Sequence, residues 1–189
     1  MAMRHKKPEQ RADSRIFLRP FKQSDGLKIY NLAKEKRVAE WTMFIPHPCP
    51  KGWAKKYIRK NQYNWKRKKA FACGIVLKGN GKVIGGIELH KINWQNKYAM
   101  LGYWLGRKYW NRGLTTEAVQ QMLAFGFKQL KLHRIYATLF EKNESSKRVL
   151  EKTGFIREGL LREKRRMKGK WQNELVYGLL KNEWRKRGY

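Results

Sequence analysis

Hydrophobic and polar positions change their period several times along this chain, and each change marks an element. In RIFLRPF, Ile16 and Leu18 alternate with Phe17 and Arg19, the period of a strand, and Pro20 suits a sheet edge. Ser24 or Asp25 then offers an N-cap to a helix carrying Leu27, Tyr30, Leu32 and Ala33. WTMFIPHPCP reads as a loop ending in prolines, and residues 51–69 read as a second helix. At about 100° per residue, with Trp53 at zero, Tyr57 falls near 40°, Asn61 near 80°, Trp65 near 120° and Ile58 near 140°. Lys55, Lys66, Arg59, Lys56, Arg67 and Lys60 fill the arc from about 200° to about 340°. One face is aromatic and the other cationic. Such a face is either solvated or a footprint for phosphate.

From Phe71 the period returns to two. FACGIVL is a short apolar strand, and GNG at Gly79–Gly81 turns the chain. In VIGGIELHKI, Val83, Gly85, Ile87 and Leu89 share one face, and Ile84, Gly86, Glu88, His90 and Ile92 the other. YAMLGYWL completes an antiparallel meander. After GRKYWNRG, a wide apolar stripe from about Leu114 to Leu130 predicts a helix buried against the sheet. RIYATLF follows as a strand parallel to its predecessor. NESSKRVLEKTG is a short helix stopped at Gly154, and FIREGLLREKRR and ELVYGLL are strands joined through MKGKW. There are no internal repeats.

Composition fits one folded domain. The 189 residues are 41% hydrophobic and 13% aromatic, enough for a core despite 45 Lys+Arg against 14 Asp+Glu. Residues 1–13 are expected to form a basic flexible tail and residues 14–189 a single domain. The start of the chain has no apolar run of a secretory signal, and no segment is long and apolar enough for a membrane span. Cys49 and Cys73 are the only cysteines, which excludes a disulfide framework and permits a reducing compartment, so a cytoplasmic location is expected. HPCP lacks a second ligand pair, so no metal is expected. The net charge of +31 pulls toward polyanions and repels polycations, unless the source simply makes basic proteins.

Chemistry concentrates where YWL passes through GRKYWNRG into LTTEAV. A helix start offers unpaired N–H groups and partial positive charge, and a glycine-containing loop can wrap a phosphate there. The plain alternative is an ordinary strand-to-helix turn. Neither G-x-G-x-x-G nor a Walker loop is present, so nucleotide hydrolysis is unsupported.

GYWLGRKYWNRGLTTEA and NESSKRVLEKTGFIREG together resemble the GNAT N-acetyltransferases, in particular the RimJ/RimL branch, which carries ribosomal-protein alanine N-acetyltransferases. The likeness runs from LRPF through IPHPCP and GGIELH to LLKNEW. It implies an α+β (α/β) fold: a mixed, mostly antiparallel sheet of about seven strands, splayed between strands 4 and 5 and flanked by about four helices. It implies acetyl-CoA as co-substrate, with pyrophosphate on Asn111, Arg112, Gly113, Leu114, Thr115 and Thr116. Pantetheine would lie against the backbone of Tyr103, Trp104 and Leu105, with Asn143 on its arm and Ser146 near the sulfur. Two positions depart from the family's Q/R-x-x-G-x-G/A pattern: Trp110 opens it and Thr115 closes it.

The amine must be neutral to attack, the thioester carbonyl becomes an oxyanion, and the departing thiolate needs a proton. An α-amino group, with a pKa near 8, is easier to deprotonate than lysine by roughly 2.5 units, or about 3.4 kcal/mol. Glu88 is the candidate base, with His90 a weaker one; a solvent-facing strand carboxylate is the alternative for Glu88. Ser146, or Tyr103 in its place, is the candidate acid, although helix capping fully explains Asn143 or Ser145. Backbone N–H groups on YWL would hold the oxyanion. The charge favours a protein α-amino group as acceptor, a ribosomal protein first, with rRNA contact through residues 51–69. The alternatives are a small-amine or antibiotic-type N-acetyltransferase, betrayed by an acidic acceptor pocket, and a non-catalytic RNA-binding module.

Overall fold

The computed structural model describes residues 8–9, 12–167 and 169–188. Most of the tail expected over residues 1–13 lies outside that range. In chain order the elements are β1 Ile16–Pro20, α1 Gly26–Ala33, α2 Lys36–Glu40, α3 Trp53–Lys66, β2 Phe71–Leu77, β3 Val83–Asn93, β4 Tyr98–Leu105 and α4 Leu114–Ala124. Then come β5 Arg134–Phe140, α5 Glu144–Lys152, β6 Ile156–Met167, β7 Lys170–Leu180 and α6 Lys181–Lys186. The strands form one sheet in the order β1-β2-β3-β4-β5-β7-β6. β1 to β4 are antiparallel in sequence, β4 and β5 are parallel, and β7 inserts antiparallel between β5 and β6.

This is the mixed, mostly antiparallel seven-stranded sheet expected, with six helices among the described residues instead of about four. The additions, α2 and α6, are too short to carry a periodic signal. The helix expected to run to Leu130 is α-helical only to Ala124 and continues as a π turn over Phe125–Gln129. Asp25 does precede α1, but its carboxylate does not cap it. Both oxygens bind Arg19 at 2.8 Å, and one also accepts from the Lys22 N–H at 2.7 Å. Arg19 and the Lys22 N–H together hold the carboxylate on the turn before α1, away from that helix's own first N–H groups.

The sheet is buried on both faces along β2 and the first half of β3, whereas β6 is exposed along most of its length. β2 is apolar throughout because helices cover it on each side. Gly86 lies against Phe21 and Tyr57, whereas Gly126, just past α4, lies against Leu89 and Ile135. The even-numbered face of β3 therefore looks toward α3 and the odd-numbered face toward α4. A Cβ on Gly86 would sit 2.7 Å from the indole nitrogen of Trp104, so the missing side chain is the slot that admits that ring.

The functional feature of the sheet is a split. β4 pairs with β5 only through Tyr98–Arg134, Ala99–Ile135 and Met100–Tyr136. Beyond Met100 the strands diverge, and the β4 edge facing β5 carries backbone groups with no strand partner, while its other edge stays paired to β3 up to Leu105.

Candidate active site

The loop between β4 and α4 makes one end of the site. Asn111 (φ 58°) and Gly113 (φ 74°) both take left-handed backbone, which brings the chain sharply round to the start of α4. Trp110 donates its indole N–H to the Leu105 carbonyl at 2.7 Å, pinning the loop to the end of β4. Arg15, just before β1, holds the loop from the other side: it donates to the Arg112 carbonyl at 2.7 Å and pairs with Glu117 on α4. Burial pushes the Glu117 carboxyl up, but hydrogen bonds from Ser14 and Arg15 outweigh it and hold the group below the usual carboxylate range.

Above this loop lies a cleft of about 300 Å³. Tyr103, Trp104, Leu105, Asn111, Arg112, Gly113, Leu114, Thr115, Thr116, Asn143 and Ser146 all line it, so every residue expected at the coenzyme is brought together. Trp41, Thr42, Arg148 and Lys152 join them from α5 and the segment after α2, and nothing local in the sequence marked these four. The cradle suits a pyrophosphate: the first N–H groups of α4 and the positive end of its dipole face an opening with cationic neighbours.

A second cleft, of about 800 Å³, opens on the α3 side of the split and shares Trp41, Thr42, Tyr103, Asn143 and Ser146 with the first. Glu88 and His90 line it from β3. Burial pushes the Glu88 carboxyl up to about 7, although Lys60 pulls the other way. Burial, aided by Lys91 and Lys60, pushes His90 down to about 4. Near neutrality Glu88 is thus a base of useful strength and His90 a weak one, which separates two candidates that shared a strand face. The partner of Glu88 across the ladder is Gly102, which leaves open room beside the carboxylate and the imidazole.

Tyr103 pairs in register with Ile87, so it leaves β4 on the face opposite Glu88. Its hydroxyl donates to the Ser146 carbonyl at 3.4 Å, across the mouth of the split, and burial keeps the phenol protonated well above its usual range. Asn143 caps α5: its Oδ1 accepts from the Ser146 N–H at 3.1 Å and from the Ser145 hydroxyl at 2.9 Å. Capping therefore occupies the oxygen of Asn143 and leaves its amide N–H groups for a ligand. The side-chain hydroxyl of Ser146 takes no part in the cap. No group of three or more metal-ligating side chains exists among the described residues, and no helix there is long and apolar enough to cross a membrane.

Residues 15–156 match the family described as Acetyltransferase (GNAT) domain. The chain is 30% identical over 171 residues to the Bacillus subtilis (strain 168) protein "Uncharacterized N-acetyltransferase YnaD", covering 90% of this chain and 96% of that one. It is 26% identical over 139 residues to the "[Ribosomal protein uS5]-alanine N-acetyltransferase" of Escherichia coli (strain K12), covering 73% and 71% of the two chains. The solved ribosomal-protein-S5-alanine acetyltransferase of Vibrio fischeri superposes with a TM-score of 0.79 at 27% identity, over 90% of this chain and 96% of that one.

Proposed function

The chain belongs to the GNAT acetyltransferases, and from that premise we propose that it moves an acetyl group from acetyl-CoA to the α-amino group of a protein, a ribosomal protein first among candidates. It is an N-acetyltransferase, which sets aside the idle RNA-binding module. The observation that carries the reading is the split between β4 and β5, which has the coenzyme cradle at one side and a carboxyl with a raised pKa at the other.

In this reading acetyl-CoA, when bound, supplies the acetyl group as an activated thioester. The N–H groups at residues 111–116 hold its pyrophosphate, and the free edge of β4 at Tyr103, Trp104 and Leu105, with the amide of Asn143, holds the pantetheine arm. The acceptor enters from the α3 side and loses a proton to the Glu88 carboxylate. N–H groups on β4 stabilise the oxygen where negative charge develops. The hydroxyl of Tyr103 or Ser146 returns a proton to the departing sulfur. An α-amine with a pKa near 8 asks little of its base at neutral pH, which fits a carboxylate of about 7. A ribosomal acceptor places the protein in the cytoplasm, and the exposed cations of α3, with the stacked Arg67 and Tyr63, suit rRNA contact.

Thiol release from acetyl-CoA tests this with an Ala- or Ser-starting peptide, a bare polyamine and salt-washed ribosomes in separate reactions. Release with peptide or ribosomes alone is expected. Release with polyamine alone overturns the acceptor.

A further inference from the structure

The wall of the acceptor cleft has a composition that the reaction itself does not require. Glu88 is its only carboxylate among the described residues, while Lys56 and Lys60 reach it from α3, Lys69 from the segment after α3 and Lys91 from β3. None of these four lysines takes part in an ion pair among the described residues, and all four are exposed. Arg165 also lines the cleft, but its charge is met by Glu174 at 2.5 Å. Lys60 sits close enough to act electrostatically on both Glu88 and His90, so its charge lies beside the reacting end.

Deeper in the same cleft, Asn61 is 6% exposed and its Nδ2 has no hydrogen-bond partner. The Tyr57 ring is stacked between Trp53 and Phe44, and its hydroxyl acts on Asn61 without supplying Nδ2 a full hydrogen bond. A buried N–H without an acceptor costs free energy, which a ligand oxygen would recover. Among the described residues the cleft thus carries unpaired lysines and one buried amide donor on a largely apolar and aromatic wall, with Glu88 as the single carboxylate.

Resting on the proposed α-amino acetylation, we propose that this cleft selects protein N-termini bearing Asp or Glu directly after the first residue, with Asn61 donating to the first peptide carbonyl and Lys60, Lys56, Lys69 and Lys91 meeting the acidic side chains. A polyamine offers the reverse pattern, donors and positive charge against donors and positive charge. The selection is local and distinct from the pull of the whole +31 surface, because it depends on which lysines face the cleft.

Three Ser-starting decapeptides that differ only at positions two and three (Asp-Glu, Gly-Ser or Lys-Lys) separate these ideas, with free aspartate as a fourth acceptor. Two exposed ion pairs at their usual strength predict about a tenfold advantage in kcat/KM for the acidic over the neutral peptide, and a similar step down to the basic one. The steps should lie mainly in KM and shrink with added salt. Lys60→Gln with Lys69→Gln should shrink the ranking, leaving what Lys56 and Lys91 supply. Lys55→Gln with Lys66→Gln removes the same charge from cleft-averted positions of α3 and should keep it. Asn61→Ala should raise KM for all three peptides alike, with the packing loss read separately as a lower melting temperature; an unchanged KM overturns the Asn61 contact. Equal rates for the three peptides, or a ranking that both double variants shrink equally, overturn the selection while leaving α-amino acetylation standing. Turnover of free aspartate without the acidic peptide also overturns it. No turnover of any peptide overturns the function reading itself, and this inference with it.

Discussion

Replacing Glu88 with Gln keeps the shape of the side chain and removes only its ability to take a proton, so two independent pH dependences should change. The first is kinetic. With a carboxyl at about 7 and an acceptor amine near 8, both must lose protons before attack, so log kcat/KM should rise with a slope of about two below pH 7, about one between 7 and 8, and level off above. At pH 6 about one enzyme in ten and one amine in a hundred are in the reactive form. The variant should lose the step near 7, keep the step near 8, and fall by about a hundredfold on the plateau, the lower end for a general base. The second dependence is thermodynamic. The folded protein holds the Glu88 proton more tightly than the unfolded chain, so its contribution is fully favourable below about 4.5 and is lost as pH rises through about 7. The variant escapes that loss. Its stability should match the wild type near pH 4 and exceed it by up to about 3 kcal/mol at pH 8. Thioester-cleavage rates and melting curves from pH 4 to 9 check both. A variant whose rate profile still breaks near 7 refutes Glu88 as the base, and equal melting at pH 8 refutes the burial argument.

Arg15→Ala should weaken coenzyme binding several-fold in calorimetry while leaving the acceptor KM alone, because it frees the Arg112 carbonyl and breaks the tie to Glu117; unchanged coenzyme affinity would show that the loop stands without it. Asn143→Ala should cost about 1 kcal/mol of stability through loss of the α5 cap. Ser146→Ala should leave melting unchanged and reduce turnover, and the opposite assignment of the two effects would reverse their roles.

Much of this was legible in the sequence. The period of two placed Glu88 and His90 together on one strand face, and a glycine-containing loop ahead of an apolar helix marked where a phosphate could be wrapped. The coenzyme set came from resemblance; periodicity alone left the loop as an ordinary turn. The lysines that face the cleft were missed for a geometric reason. Trp53, Lys56, Tyr57, Lys60, Asn61 and Asn64 line it together, a sector that straddles the border between the aromatic and cationic arcs of α3. A helical wheel divides residues by polarity, whereas the cleft takes whatever faces it once α3 is packed. The capping of α1 failed because Arg19, six residues back on β1, takes both carboxylate oxygens of Asp25, and the π turn after Ala124 broke a stripe whose apolar residues stayed buried regardless.

The split sheet has a consequence for how the protein survives. Three registered residue pairs are all that join the β1–β4 half to the β5–β7–β6 half by strand hydrogen bonds, so this seam is where amide exchange and protease entry should begin. A coenzyme lying in the seam would stitch the halves together, at about 2.7 kcal/mol when present at a hundred times its dissociation constant. Durability would then follow the supply of coenzyme, acetylated or free, because the pyrophosphate and pantetheine contacts are common to both forms: a cell short of acetyl groups would idle the enzyme without exposing it to turnover.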